Sequence, residues 1–213
     1  YDMTATSILE RHPLFAPYTI EETENMLARH GCGPVVYPAG AAVLAEGSPA
    51  DRVGLIISGR VRVEKYDLYG NRNIFVELGE GELFAEAFAF SDVERLSVTV
   101  RAVEDSTILL IPREMLLEDH TLLKNTVRLM GCKMFLFDQR IEVISRRRTR
   151  EKLLLYLQQQ SEHFGSDSFV IPFDRQGLAD HLGVDRSGLS VEINKLVRQG
   201  VIMAEGPWFR LLR

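Results

Sequence analysis

The stretch Phe173–Leu196, FDRQGLADHLGVDRSGLSVEINKL, decides how the chain folds around it. Asp174 can cap a short helix, because its carboxylate accepts the orphan backbone N–H groups at a helix start. Leu178, Ala179 and Leu182 then share one helical face. Gly183 stands where that helix must stop, since glycine takes the left-handed conformation at little steric cost. Asp185 can cap a second helix, along which Leu189, Ile193, Leu196 and Val197 keep helical spacing. Two short helices joined by a tight glycine turn predict a helix-turn-helix. The second helix of such a motif lies in the DNA major groove. Arg175, Gln176, Arg186, Ser187, Ser190 and Asn194 are left off the apolar face and are the candidate DNA contacts. The plainer alternative is a helical hairpin inside a core.

The flanks favour the first reading. Val201–Ala204 and Trp208–Leu212 enclose Glu205-Gly206-Pro207 as a small hairpin, a wing beside the second helix. Upstream, Phe169–Ile171 reads as a short strand after the loop Gly165-Ser166-Asp167. Before that, Thr149 can cap a helix carrying Leu153, Leu154 and Leu157. Ser145–Thr149, SRRRT, breaks the apolar pattern and predicts a hinge and domain boundary. Its arginines Arg146, Arg147 and Arg148 fit either a solvated connector or a phosphate or interdomain contact.

Ahead of the hinge, Leu123, Val127, Met130, Met134, Phe137, Ile141 and Ile144 follow one another by alternating steps of four and three. That is the seam of a two-stranded coiled coil and predicts a homodimer. A helix lying on its own domain needs a wider stripe, which Leu122, Leu129 and Leu136 would add. Earlier still the texture is β-rich: Val35–Tyr37, Ala42–Leu44, Val53–Ile57, Val61–Lys65, Ile74–Leu78, Ser97–Ala102 and Thr107–Ile111. Gly47, Gly59, Gly70 and Gly81 punctuate these runs, and Tyr69-Gly70-Asn71 suits a hairpin tip. Short strands at this spacing predict an antiparallel sandwich or roll. Residues before about 30 read as helical, with Ile20, Met26 and Leu27 as buried contacts. The fold class is therefore α+β. Residues 1–120 form an antiparallel β-roll (jelly-roll) domain, 121–144 a dimerisation helix and 145–213 a winged helix-turn-helix domain.

A length of 213 residues allows one or two domains with sizeable cores. The net charge of −5 would argue against nucleic acid if it were uniform. It is not: from Ser145 onward Lys and Arg outnumber Asp and Glu by 11 to 8, against 14 to 22 before it. A basic C-terminal module behind an acidic one suits phosphate binding. Cys32 and Cys132 are too far apart for a disulfide framework or a metal ligand set, and read as small buried apolar residues. No run approaches the roughly 18 apolar residues of a membrane span, and no signal peptide is visible. A cytoplasmic location without membrane contact is expected. The chain opens on Tyr1 rather than Met, which leaves room for preceding residues. No Ser/His/Asp set, metal spacing or P-loop points to an enzyme, and Gly31-Cys32-Gly33 reads as a loop.

A β-roll, a long helix, a hinge and a C-terminal winged helix-turn-helix together resemble the Crp/Fnr family of bacterial transcription regulators over essentially the whole chain. The resemblance implies an allosteric effector site, a pseudo-palindromic double-stranded DNA target and RNA polymerase as a partner. Its most specific pieces are Gly81–Ala102, GELFAEAFAFSDVERLSVTVRA, and Arg175–Leu196. In the first, cyclic-nucleotide members carry a cassette in which backbone N–H groups and an Arg grip the cyclic phosphate while a Glu takes the ribose hydroxyl. Aligned without gaps, that Glu falls on Glu86 and a cassette Ser on Ser97, but its Gly becomes Ala85 and the phosphate Arg becomes Leu96. An isobutyl group cannot offset the desolvation of a phosphate. Arg95 is adjacent, yet a one-residue step along a strand turns a side chain to the other face. Cyclic AMP in the usual mode is therefore not expected, and Glu86 serves either a ligand or nearby turns. The implied pocket includes Leu83, Phe84, Glu86, Leu96, Ser97, Phe137 and Asp138, suited to a small, fairly apolar effector or none.

The family's iron–sulfur sensors have an N-terminal cysteine cluster, which is lacking here. Its haem or gas-sensing members use axial ligands, for which His12, His30, His120, His163 and His181 show no paired spacing. FAEAF is also similar to the matching segment of regulators responding to nitrogen oxides. On the DNA side, Arg175 and Gln176 match the family's phosphate-contacting pair. Arg186 matches the first recognition-helix arginine, suited to guanine O6 and N7. The family's next reader, a Glu, is Ser187, and its later Arg is Val191, which can meet a thymine methyl or pack on the neighbouring helix. Glu205 falls at a wing position often held by a phosphate contact. Two alternatives remain: a haem-binding, gas-sensing member of the same family, and a cyclic-nucleotide-binding regulatory module of a larger signalling assembly. The second needs the phosphate Arg and has no use for a winged helix-turn-helix.

Overall fold

The computed structural model describes residues 3–67, 69 and 72–212. They form two compact units, one ending at Cys132 and the other starting at Lys133.

The first unit opens with α1 (Met3–Arg11) and α2 (Ile20–Arg29). Thr19 starts α2 through a reciprocal capping box with Glu22. Eight strands follow, namely β1 (Pro34–Tyr37), β2 (Ala42–Leu44), β3 (Arg52–Ser58), β4 (Val61–Tyr66), β5 (Arg72–Leu78), β6 (Leu83–Phe84), β7 (Thr99–Ala102) and β8 (Ser106–Pro112). They pair antiparallel in two four-stranded sheets, ordered β1-β8-β3-β6 and β2-β7-β4-β5. The predicted roll is thus present. Gly70 and Asn71 of the predicted hairpin tip lie outside the described residues. The last strands differ at their starts, since Ser97 precedes β7 by two residues.

Two elements were not expected: β6 and the single-turn helix α3 (Glu86–Ala89). A two-residue strand carries no periodicity of its own. What fixes it is Phe84, whose ring lies so close to Gly54 on β3 that a Cβ there would fall 2.0 Å from it. Only glycine admits that approach. Phe84 joins Ile56, Leu96, Val100 and Ile108 in the core between the sheets. A second core, with Leu9, Leu14, Leu27, Val53, Leu55, Leu109 and Leu116, closes the other side of β3 and β8 under the N-terminal helices.

After α4 (Arg113–Glu118) comes α5 (His120–Ser145), one continuous helix that passes from the first unit into the second. Asp119 receives the N–H groups of Thr121 and Leu122 at its start, and the Tyr18 hydroxyl donates to the same carboxylate. Within α5, Leu122 is buried and Leu129 packs beside it, whereas Leu136 is exposed. The wider stripe expected from those three leucines therefore holds only over the first turns. Cys32 is half-buried, but Cys132 is exposed, contrary to the buried role expected of it.

The second unit continues with α6 (Thr149–Phe164), β9 (Ser168–Val170), α7 (Arg175–Leu182), α8 (Arg186–Arg198), β10 (Ile202–Glu205) and β11 (Trp208–Leu211). Its three strands form a sheet ordered β10-β11-β9. Leu153, Leu157, Leu178, Leu182, Leu189, Ile193, Leu196, Ile202 and Phe209 make its core, joined by Val143 from the end of α5. Thr149 does not cap α6: it is already the first helical residue, and Arg148 occupies the cap position with no side-chain bond to the helix. Val197, expected on the buried face, is 40 % exposed because the helix turns it past the edge of that face.

Candidate nucleic-acid interface

The helix-turn-helix is built by the residues that announced it. Asp174 accepts from the Gly177 N–H at 2.7 Å, and Asp185 from the Gly188 N–H at 2.8 Å, so each helix has a side-chain cap. Gly183 ends α7 in the left-handed conformation, φ 60° and ψ 51°. Ser187 also donates its hydroxyl to Asp185, which holds that carboxyl below the usual carboxylate range.

With Leu189, Ile193 and Leu196 turned inward, α8 presents Ser187, Val191, Asn194 and Arg198 in one exposed row. Arg186 is exposed at its start, and Ser190 is half-buried with its hydroxyl donated to the Arg186 carbonyl. Val191 is 64 % exposed, so it is not packed on the neighbouring helix. Arg198 was not among the sequence candidates, although it continues the helical spacing of Ser187, Val191 and Asn194. Arg175 is half-buried with its guanidinium 5.4 Å from the centre of the Phe209 ring, and burial lowers its pKa. Gln176 is exposed and donates its amide to Asp180. Beside Arg175, a cavity of about 410 Å³ runs between Phe173, Asp174 and the wing turn Gly206-Pro207.

Behind α7, Phe173 stacks on His181 at 4.8 Å, and His181 meets the Tyr156 ring edge-on at 5.1 Å. Burial lowers the His181 pKa, with Arg140 on α5 adding to it, and pushes the Tyr156 phenol up to about 12.

Of the residues expected to line an effector pocket, Leu83 and Phe84 of the first unit join different cores. Phe84 and Leu96 pack in the core between the sheets, while Leu83 faces the other core under α1. Glu86 is buried at the start of α3, and Ser97 is exposed. Phe137 and Asp138 lie on α5 in the second unit. Ala85 adopts φ 63°, making it the one non-glycine residue at positive φ among those described. A separate cavity of about 410 Å³ is bordered by Ala50, Asp51, Asp92, Glu94 and Arg113, and none of the expected pocket residues lines it.

Among the described residues, no cluster of three or more His, Cys, Asp or Glu side chains could hold a metal. His12 has both ring nitrogens engaged: Nε2 donates to the Gly81 carbonyl at 3.0 Å, and Nδ1 accepts the Leu14 N–H at 3.2 Å. No described helix is long and apolar enough to cross a membrane.

Comparison with known proteins agrees with this architecture. Residues 34–118 match the cyclic nucleotide-binding domain, and residues 151–213 match the Crp-like helix-turn-helix domain. With these two domains in this order, the chain belongs to the Crp/Fnr family. A CRP-like cAMP-activated global transcriptional regulator of Mycobacterium tuberculosis is 35% identical over 71 residues, 33% of this chain and 32% of that protein. The Cyclic AMP receptor protein of Thermus thermophilus is 34% identical over 102 residues, 48% of this chain and 46% of that protein. The matches thus span 32% to 46% of these relatives' length. The relatives are named as regulators and receptors, not as enzymes. Among solved structures, DNR from Pseudomonas aeruginosa aligns over 100% of this chain and 96% of its own, at 24% identity and a TM-score of 0.56. The Thermus thermophilus catabolite activator protein aligns over 94% and 93%, at 24% identity and a TM-score of 0.51. Both share the fold.

Proposed function

We propose that the chain is a homodimeric, sequence-specific DNA-binding transcription regulator, acting in the cytoplasm with RNA polymerase as a partner. The observation that carries this reading is α8, capped by Asp185 and offering Arg186, Ser187, Val191, Asn194 and Arg198 to solvent from a packed winged domain. Arg186 reads guanine through O6 and N7, Val191 meets a thymine methyl, and Arg175 and Gln176 hold phosphates. Gln176 must exchange its bond to Asp180 to do so.

The dimer forms through the seam of α5. Val127, Met134, Phe137, Ile141 and Ile144 are all exposed in the single chain, with Met134 at 65 % and Ile141 at 59 %. Unpartnered apolar side chains at strict heptad spacing favour pairing with a second copy of the same helix. Two recognition helices about one DNA turn apart then fit a pseudo-palindrome.

The effector is not cyclic AMP held by a phosphate-binding Arg at position 96. Leu96 is 3 % exposed in the core where a phosphate-binding Arg would be needed. An effector of apolar character, acting through population shift along α5 and the Ser145–Thr149 segment, fits the residues present.

The test is operator binding. A duplex recovered by this protein from a randomised pool should be palindromic, and Arg186→Ala should weaken it by about 1–3 kcal/mol and relax preference at one base position per half-site. Equal affinity and selectivity in the variant would remove the reader role of Arg186.

A further inference from the structure

The first turn of α6 grips both helices of the DNA-reading motif from behind. Lys152 Nζ donates to the carbonyl oxygens of Leu182 at 3.0 Å and Gly183 at 3.3 Å. Those are acceptors at the C-terminal end of α7, where carbonyls lack intrahelical partners and the helix dipole favours a cation. Two residues earlier, Arg150 Nη1 donates to Glu192 Oε1 at 3.2 Å and to Gln199 Oε1 at 2.8 Å. Glu192 lies on α8 and Gln199, seven residues on, caps its C-terminal end, so one guanidinium ties the last two turns of that helix to its cap. Neither belongs to the exposed row Ser187, Val191, Asn194 and Arg198; Glu192 is half-buried. The Glu192 side chain is 17 % exposed, and that of Arg150 36 %.

We infer that Arg150 and Lys152 are positioning residues for DNA recognition. Lys152 fixes the turn between α7 and α8, and Arg150 fixes the rotation of α8 about its axis. Together they set which side chains reach base edges without touching DNA themselves. This role rests on the regulator reading above. It also makes α6, which begins at the last residue of Ser145–Thr149, the element through which a movement at that segment reaches α8.

Counterion release separates positioning from direct contact. Each phosphate contact contributes about 0.9 to the slope of log K against log salt, so a cation that touches DNA lowers the slope when removed. A cation that only orients α8 leaves it unchanged. The probes are the duplex recovered from the randomised pool and a non-specific alternating copolymer duplex. The variants are Arg150→Met and Lys152→Met, which keep the aliphatic stems, with Arg150→Lys and Lys152→Arg as charge-retaining controls. Gln199→Ala attacks the Arg150 bridge from its far side.

The methionine variants and Gln199→Ala should lose about tenfold or more in affinity for the recovered duplex, about 1.4 kcal/mol. Their copolymer affinity and salt slope should stay at the parent values, and the charge-retaining variants should recover most of the loss. Arg150→Met and Gln199→Ala combined should cost little more than either alone. A slope reduced by about 0.9 in either methionine variant overturns the role in favour of a phosphate contact. Undiminished affinity for the recovered duplex overturns it outright, with the regulator reading intact. If the parent protein selects no duplex, the regulator reading fails and this role with it.

Discussion

Arg95 and Leu96, adjacent in sequence, have opposite surroundings. The Leu96 side chain is sealed between the two sheets, while Arg95 is exposed and donates from Nη1 to the Gly47 carbonyl at 2.7 Å. Neither therefore supplies a cation to the interior beside Phe84. A ligand at a hundred times its dissociation constant adds about 2.7 kcal/mol to stability. Cyclic AMP at millimolar concentration should leave the calorimetric unfolding midpoint where it is. A rise of several degrees would mean that the phosphate finds another cation.

At Ala85 the backbone takes a conformation that costs an L-residue about 1–2 kcal/mol. Ala85→Gly relieves this but frees the unfolded chain and removes a partly packed methyl. The net expectation is a gain of about 0.5–1 kcal/mol in denaturant unfolding. A loss would show that the methyl's packing outweighs the backbone strain.

His12 titrates in a direction opposite to that of a salt-bridged histidine. Burial lowers its pKa, only partly offset by the bond to Gly81, so the folded state holds the neutral ring. The unfolded chain takes up the proton near pH 6.5. Stability is then fully present above that pH and declines as the pH falls through it toward 5. His12→Gln should flatten this part of the pH–stability curve, read as unfolding midpoints between pH 5 and 7. An unchanged slope would remove His12 as its source. His181 shifts the same way and contributes equally to both proteins.

The seam of α5 can be tested without DNA. Met134→Asp and Ile141→Asp put carboxylates at exposed heptad positions and should convert a dimer into a monomer in sedimentation equilibrium. Because both residues are exposed in the single chain, the monomer should keep its far-UV dichroism. A parent protein already monomeric at micromolar concentration would rule the seam out as an interface.

What the sequence made legible was local. Asp174, Gly183 and Asp185 act within three residues of the backbone groups they satisfy, so their spacing alone describes the turn they build. The strands from Pro34 to Pro112 show themselves through runs of β-branched residues between glycines. Less visible was whatever depends on distant partners. β6 exists because Phe84 meets Gly54, and the clamp on α8 joins Arg150 to Gln199, 49 positions away. Thr149 looked like a cap because its type suits one, but the helix begins a residue earlier than that role requires. Which core each residue of β6 joins was likewise not legible. Leu83 and Phe84 are neighbours in sequence, and a strand sends neighbours into different cores.

Gly131 lies inside α5, one residue before the first unit ends, and a Cβ built on it would meet nothing within 4 Å. No steric demand excludes a methyl there, yet its lack costs the helix about 0.5–1 kcal/mol relative to alanine. The residue of lowest helix propensity in α5 thus sits beside the boundary between the two units. Gly131→Ala should slow amide exchange around Cys132 and raise the midpoint modestly. If signals do travel along this rod, the same missing methyl tunes how much of a twist at one end survives to the other.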